Sequence, residues 1–142
     1  MKKIISVSAL VLIMVSLFSI SASCQKAKAI KTSVSNSANI EVYYFHFTRR
    51  CATCQAVETE SKKAIAALYP AQLKRGLISF KSVNLDEKGT EILAKKCNAE
   101  GQALLVIKGN KRNDLTDKGF MYALNNPEKL KAELKKVIDP LL

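Results

Sequence analysis

Two cysteines three residues apart, Cys51 and Cys54, are the residues of this chain whose spacing points most directly to chemistry. They follow the β-branched and aromatic run 40–47, which is typical of a buried strand, and they open a long helical pattern. Residues i and i+3 at a helix start lie on the same side of the first turn. The spacing therefore predicts two sulfur atoms close enough to share a bond.

The two sulfurs are expected to differ in acidity. Unpaired backbone N–H groups at a helix N-terminus stabilise an anion. Arg49 and Arg50 come just before Cys51, and a nearby cation lowers the pKa of a thiol further. We therefore predict that Cys51 is the nucleophilic thiolate, assisted by Arg50, and that Cys54 is the resolving cysteine. Their disulfide should be easily reduced, because stabilising the thiolate stabilises the reduced form.

Two polar side chains near the pair each have a functional and a structural interpretation. Glu58, one helical turn beyond Cys54, is a candidate acceptor for the proton of that thiol, but it also suits an exposed ion pair with Lys62. His46 is the only histidine and precedes Cys51 by five residues. It either assists the thiolate, joins a metal site, or packs at the rim of the fold.

A metal site is the alternative use of the same sulfurs. Cys97 is interpreted as a half-buried hydrophobic thiol, although it is also a possible ligand. The side chains available for such a site are Cys51, Cys54, Cys97 and His46, and structural zinc needs four converging ligands. The sequence predicts no cofactor and no resident metal. The alternative function is therefore a protein whose thiolates hold a soft metal or metalloid without redox turnover.

The N-terminus has the features of an export signal. Lys2 and Lys3 precede an apolar stretch, 4–20, and small residues follow, so segment 1–23 is predicted to be a signal peptide. The run Ile20-Ser21-Ala22-Ser23-Cys24 resembles a bacterial lipoprotein box, with Ser21 where such boxes usually carry Leu. The resemblance implies that Cys24 is lipidated and that the protein faces the periplasm from a membrane of the cell envelope. Ordinary cleavage after Ser23 or Ala29 is the alternative.

Segment 24–38 is rich in Lys, Ser and Ala and is predicted to be a flexible tether, and 39–142 is predicted to be one domain. Loss of Lys2 and Lys3 with the signal leaves 21 of the 23 basic residues against 12 acidic ones, a net charge of +9. The lysines are dispersed, which indicates a solvated surface, with an anionic membrane or an acidic protein as the alternative partner. No nucleic-acid motif is present, so a nucleic-acid partner is not expected.

Strand and helix patterns alternate along the domain. Strands are predicted at 40–47, 77–85 and 103–108, with a weaker edge strand at 112–116, and helices at 52–68, from Asp86 or Thr90 to Lys96, and after an Asn126 N-cap. The segment 117–125 is ambiguous, because Gly119 interrupts a helix-like pattern.

This order, with C-x-x-C between the first strand and helix, resembles the thioredoxin-like superfamily. The resemblance implies an α/β fold in which a central mixed sheet of about four strands is flanked by helices. It implies thiol-disulfide oxidoreductase activity, in which Cys51 attacks and Cys54 resolves. It also places Gln102 and Ala103 in the loop that contacts substrate.

Three positions depart from the thioredoxin pattern. Phe45 stands where thioredoxins have a buried Asp, Arg50 where they have Trp, and Ala103 where they have a cis-proline. A cis bond before Ala is costly, so the Gln102–Ala103 peptide is expected to be trans. The Arg-Cys-x-Thr-Cys motif is also similar to thioredoxin-like accessory subunits of nitroaryl- or arsenical-reducing systems. That similarity implies electron delivery to a redox partner protein.

Overall fold

The computed structural model describes residues 39–142, and the predicted signal peptide, the tether and Cys24 lie outside them. Its elements are, in chain order, β1 (Ile40–His46), α1 (Ala52–Leu68), α2 (Pro70–Lys74), β2 (Ile78–Asn84), α3 (Thr90–Lys96), β3 (Ala103–Lys108), β4 (Lys111–Asp114), α4 (Thr116–Tyr122) and α5 (Pro127–Ile138), with a final 3₁₀ turn (Asp139–Leu141). None of the helices within this range is long and apolar enough to cross a membrane.

The four strands form one mixed sheet in the order β2-β1-β3-β4. β1 and β2 run parallel, which requires a crossover, and α1 and α2 supply it. β3 runs antiparallel to both of its neighbours, and a two-residue turn at Gly109 and Asn110 joins it to β4. Gly109 has a φ of +57°, a conformation that glycine adopts without strain. The architecture confirms the predicted α/β, thioredoxin-like fold.

β1 is buried on both sides, which explains its nearly continuous apolar sequence. Val42 and Tyr44 lie on one face, in a core shared with α1 and α5. Tyr43 and Phe45 lie on the opposite face, in a smaller core with residues of α3 and its C-terminal end. The alternation along β1 therefore decides which side chains point towards the helix that begins at the cysteine pair.

Several boundaries differ from the sequence-based expectation. The short helix α2 was not predicted, and Pro70 occupies its first position, where the missing N–H costs nothing. The edge strand covers Lys111–Asp114 and stops before Thr116. The ambiguous segment contains the helix α4. The predicted Asn126 cap is confirmed, since its side chain accepts a hydrogen bond from the Lys129 N–H.

Candidate redox site

Cys51 is the N-cap residue of α1 and has an extended backbone, with φ −78° and ψ 169°. Its sulfur accepts a hydrogen bond from the Cys54 N–H at 3.3 Å, as a capping oxygen would at this position. Its carbonyl accepts from the Gln55 N–H at 3.1 Å. The start of α1 thus fixes the position of the first cysteine.

The loop before α1 is held by polar contacts to the last residue of β2 and to the turn that follows it. The Thr48 N–H donates to a carboxylate oxygen of Asp86 at 2.7 Å. The Asn84 amide donates to the Thr48 hydroxyl at 3.0 Å. These contacts connect the ends of two neighbouring strands, so the loop that carries Arg50 and Cys51 is tied to the sheet.

The Sγ atoms of Cys51 and Cys54 lie 2.7 Å apart, and both thiols are free. Cys51 is exposed, whereas Cys54 is buried, with a relative exposure of 5%. A bulky substrate can therefore reach the first sulfur and not the second. The arrangement places a shielded thiol within bonding reach of an accessible one.

The same geometry makes the two thiols unequal in acidity. Hydrogen bonds from the Cys54 side chain and then the Cys54 backbone N–H lower the pKa of Cys51. Burial, followed by the hydrogen bond with Cys51, raises the pKa of Cys54. The predicted contribution from N–H groups at the helix start is present, in the Cys54 and Thr53 backbone, whereas the predicted contribution from Arg49 and Arg50 is not among the causes.

Arg50 forms an ion pair with Glu58, and both side chains are about one-quarter exposed, at 27% and 26%. The alternative pairing of Glu58 with Lys62 is therefore not the one observed. Burial raises the pKa of Glu58, but hydrogen bonds from Ser82 and Arg50 outweigh it, so the pKa lies below its usual value. Glu58 is accordingly held as a carboxylate one turn beyond Cys54.

His46 is a buried rim residue with two ring contacts. Its Nδ1 lies 2.9 Å from the Phe47 carbonyl oxygen, and its Nε2 lies 2.9 Å from the Ser82 hydroxyl. Ser82 also contributes to the lowered pKa of Glu58, so His46, Ser82, Glu58 and Arg50 form a polar chain beside the cysteine pair. Sequence reasoning missed Ser82, whose only signal was its place on the strand adjacent to β1.

Cys97 lies at the C-terminal end of α3, in the smaller core on the opposite face of the sheet from Tyr44. Burial, followed by the charge of Glu41, raises the pKa of its thiol. Between Asn39 and Leu142, no three His, Cys, Asp or Glu side chains are arranged to hold a metal ion. Neither Cys97 nor His46 therefore lies with the pair as a metal ligand in this structure.

Ala103 is the first residue of β3, is buried, and pairs with Phe45 across the sheet. No peptide bond in the described part of the chain is cis, so the Gln102–Ala103 bond is trans. Both residues line an open cleft of about 560 Å³ that also contacts Arg112 and Asp114. Cys51 and Cys54 do not line this cleft.

Tyr44 is a second residue that sequence reasoning missed. Its side chain is fully buried on the face of β1 that packs against α1, and its hydroxyl has no hydrogen-bond partner. The alternation of side chains between the two faces of the strand could have identified it. Position 45 holds Phe and faces the other way, so residue 44 is the one directed towards α1.

Comparison with protein-family models and with curated proteins finds no match to this sequence. Among solved structures, the chain is similar to thioredoxin O2 from Arabidopsis thaliana in its oxidised state, with 19% identity, a TM-score of 0.48, and coverage of 73% of this chain and 76% of that one. It is also similar to a structure described as a malarial protein, with 22% identity, a TM-score of 0.44, and coverage of 69% and 96%.

Proposed function

We propose that this protein is a thiol-disulfide oxidoreductase that exchanges electrons with a protein partner through Cys51 and Cys54. The observation that carries the proposal is the asymmetry of the pair. An exposed thiol with a lowered pKa lies 2.7 Å from a buried thiol with a raised pKa. Attack needs an accessible thiolate, and resolution needs a protected thiol within reach of it.

In the reducing direction, the Cys51 thiolate attacks one sulfur of a partner disulfide. A Cys51–partner disulfide forms, and the other partner sulfur leaves as a thiolate. Cys54 then loses its proton and attacks Cys51, which releases the second partner sulfur. The pair ends as a disulfide, the partner has gained two electrons, and a dithiol reductant must restore the pair.

Glu58 is the proposed acceptor of the Cys54 proton. Its carboxylate is kept ionised by Ser82 and Arg50, and it lies one helical turn from the thiol. Arg50 acts on this carboxylate and positions it. Gln102 and Ala103 are proposed to contact the partner through the cleft at the start of β3.

Export is part of the proposal and is supported by the sequence of the first 24 residues. With a lipid on Cys24, the protein would be attached to a membrane of the bacterial cell envelope. Full-length protein should then fractionate with membranes, and Cys24→Ala should lose that behaviour. A wild-type protein recovered without an acyl group would reject lipidation and leave the redox proposal intact.

The redox proposal is tested by insulin reduction and by partner trapping. We expect Cys51→Ser to abolish disulfide reduction and Cys54→Ser to accumulate mixed disulfides with the partner, because the second step is blocked. Cys97→Ser is the matched control, since it removes a buried thiol remote from the pair, and it should retain activity. A wild-type protein without activity, together with an empty trap, would contradict the proposal.

A further inference from the structure

The hydroxyl of Tyr44 is a buried polar group that the reaction described above does not use. Within residues 39–142, only two other buried side-chain atoms lack a hydrogen-bond partner, Ser61 Oγ and Gln102 Oε1. A buried donor without a partner costs free energy, so such a group requires an explanation. The surroundings of Tyr44 supply one.

The Tyr44 side chain is buried on the face of β1 that packs against α1. Burial raises its pKa, the charge of Cys54 raises it next, Arg50 lowers it, and Glu58 and Cys51 raise it further. His46, two residues along β1, has its ring centroid 5.7 Å from that of Tyr44. The hydroxyl is therefore within electrostatic range of the whole site, and it remains protonated as a hydrogen-bond donor.

The hydrogen-bond needs of Cys54 change during the reaction. In the dithiol state, the sulfurs of Cys51 and Cys54 share a hydrogen bond. In the mixed disulfide, the Cys51 sulfur is bonded to the partner and is no longer a thiolate that accepts the hydrogen bond of the Cys54 thiol. Cys54 must then become a thiolate in a buried position, where an unpaired charge is costly.

We propose that the Tyr44 hydroxyl donates a hydrogen bond to the Cys54 sulfur as that sulfur becomes a thiolate. This inference rests on the proposed function and adds a residue to its second step. The Cys54 S–H bond breaks and its proton passes to Glu58. The sulfur electron pair then forms the bond to Cys51, and the Cys51–partner bond breaks to release a partner thiolate. Tyr44 keeps its own proton throughout.

The first test needs no exchange activity. Cys51→Ala removes the sulfur that shares a proton with Cys54, so the ultraviolet absorbance of the thiolate reports the pKa of Cys54 after subtraction of the signal from Cys97. Adding Tyr44→Phe should raise that pKa by about one unit, a tenfold loss of thiolate, because a donor to a charged acceptor is removed. An unchanged pKa would overturn the inference.

Two controls separate this effect from a general change in the core. Tyr69→Phe also removes a buried tyrosine hydroxyl, but that group bonds Asp139 at 2.6 Å, far along the chain from the pair. Ser61→Ala removes another buried hydroxyl without a partner on α1 itself. Neither should shift the pKa of Cys54. Circular dichroism confirms that each variant is folded.

The second test follows the resolving step directly. Cys51 is loaded with a small thiol as a mixed disulfide, and release of that thiol is measured against pH. Tyr44→Phe should slow release about tenfold and move the pH profile upward, while attack by Cys51 stays unchanged. Unchanged release in an active enzyme overturns only the inference. Failure of wild-type Cys51 to react overturns the proposed function. The inference about Tyr44 is then judged from the first test alone, by whether Tyr44→Phe shifts the pKa of Cys54.

Discussion

Arg50 and Glu58 form an ion pair that connects the loop before α1 to the second turn of that helix. The guanidinium charge is thereby engaged by a carboxylate beside the cysteine pair. The lowered pKa of Cys51 derives mainly from hydrogen bonds with Cys54 rather than from this arginine. The Arg50–Glu58 ion pair also contributes to the stability of the domain.

Arg50→Ala should destabilise the domain by about 0.5 to 1 kcal/mol at neutral pH, the range for partly exposed ion pairs. The folded-state pKa of Glu58 lies below its unfolded value of about 4.3. The stabilisation is therefore present above that pH and is lost as the pH falls through the folded-state pKa. Urea unfolding of wild type and Arg50→Ala at neutral and acid pH measures the difference.

Lys62→Ala is the matched control for this experiment. Lys62 is exposed on the same helix, and no ion pair involving it is present in the described region. Its removal should change stability by a few tenths of a kcal/mol at most, at either pH. A difference between wild type and Arg50→Ala that persists unchanged in acid would contradict the role given to Glu58.

Alkylation near pH 6 should distinguish the three cysteines of the domain. We expect Cys51 to react first, because it is exposed and its pKa is lowered, while burial raises the pKa values of Cys54 and Cys97. Cys54→Ala should slow the reaction of Cys51, since it removes the thiol that hydrogen-bonds to its sulfur. Peptide mass spectrometry gives the three rates, and equal rates would reject the assignment.

The elements that carry strong periodicity could be predicted from the sequence. The bounds of α1, Ala52–Leu68, and of β3, Ala103–Lys108, agree with the predicted segments. In α1, the apolar residues repeat at helical spacing, and β3 is a short apolar run ending near a Gly-Asn turn. Both signals are local, so no knowledge of the tertiary structure was needed to find them.

The polar chain beside the pair could not be predicted in the same way. It joins His46 of β1 to Ser82 of β2 and to Glu58 of α1, and these contacts depend on strand register and helix packing. The parallel register pairs His46 with Asn84, which places Ser82 two residues away. A sequence pattern predicts which face a residue occupies but not which distant side chain meets it there.

Close packing at Gly119 accounts for the helix in segment 117–125, whose secondary structure was ambiguous from the sequence. A Cβ atom added at this position of α4 would lie 3.2 Å from Val57 Cγ1 and 3.3 Å from Leu104 Cδ2. Both neighbours are fully buried and have little room to move. The glycine thus allows α4 to approach α1 and β3 closely, although it weakens the local helix pattern that sequence reasoning relies on.

Gly119→Ala should therefore destabilise the domain by about 1 kcal/mol. The intrinsic helix propensity of Ala favours the variant by about 1 kcal/mol, but overpacking a core costs about 1 to 3 kcal/mol. Gly101→Ala is the control, because nothing lies within 4 Å of a Cβ there. Chemical unfolding of both variants measures the difference. A Gly119→Ala protein more stable than wild type would show that Val57 and Leu104 can move aside.

Metal titration of the reduced domain separates exchange from soft-metal binding. Zinc sites in proteins use three or four protein ligands, and in the described part of the chain neither His46 nor Cys97 joins the two sulfurs of the pair. We expect reduced wild type to compete for Zn²⁺ no better than a small dithiol does. Cys51→Ser is the matched variant, since it removes one of the two sulfurs.

Ala103→Pro completes this experiment by altering the position where thioredoxins carry proline. Ala103 is buried at the start of β3 opposite Phe45, and proline there lacks an N–H and constrains Gln102 before it. We expect lower stability by urea unfolding and no change in zinc binding. If wild type instead binds zinc tightly, and both Cys51→Ser and a folded Ala103→Pro weaken that binding, the cysteine pair is a metal site. The protein's function would then be thiolate-based binding rather than electron exchange, because a bound metal occupies the same sulfurs that attack and resolution require.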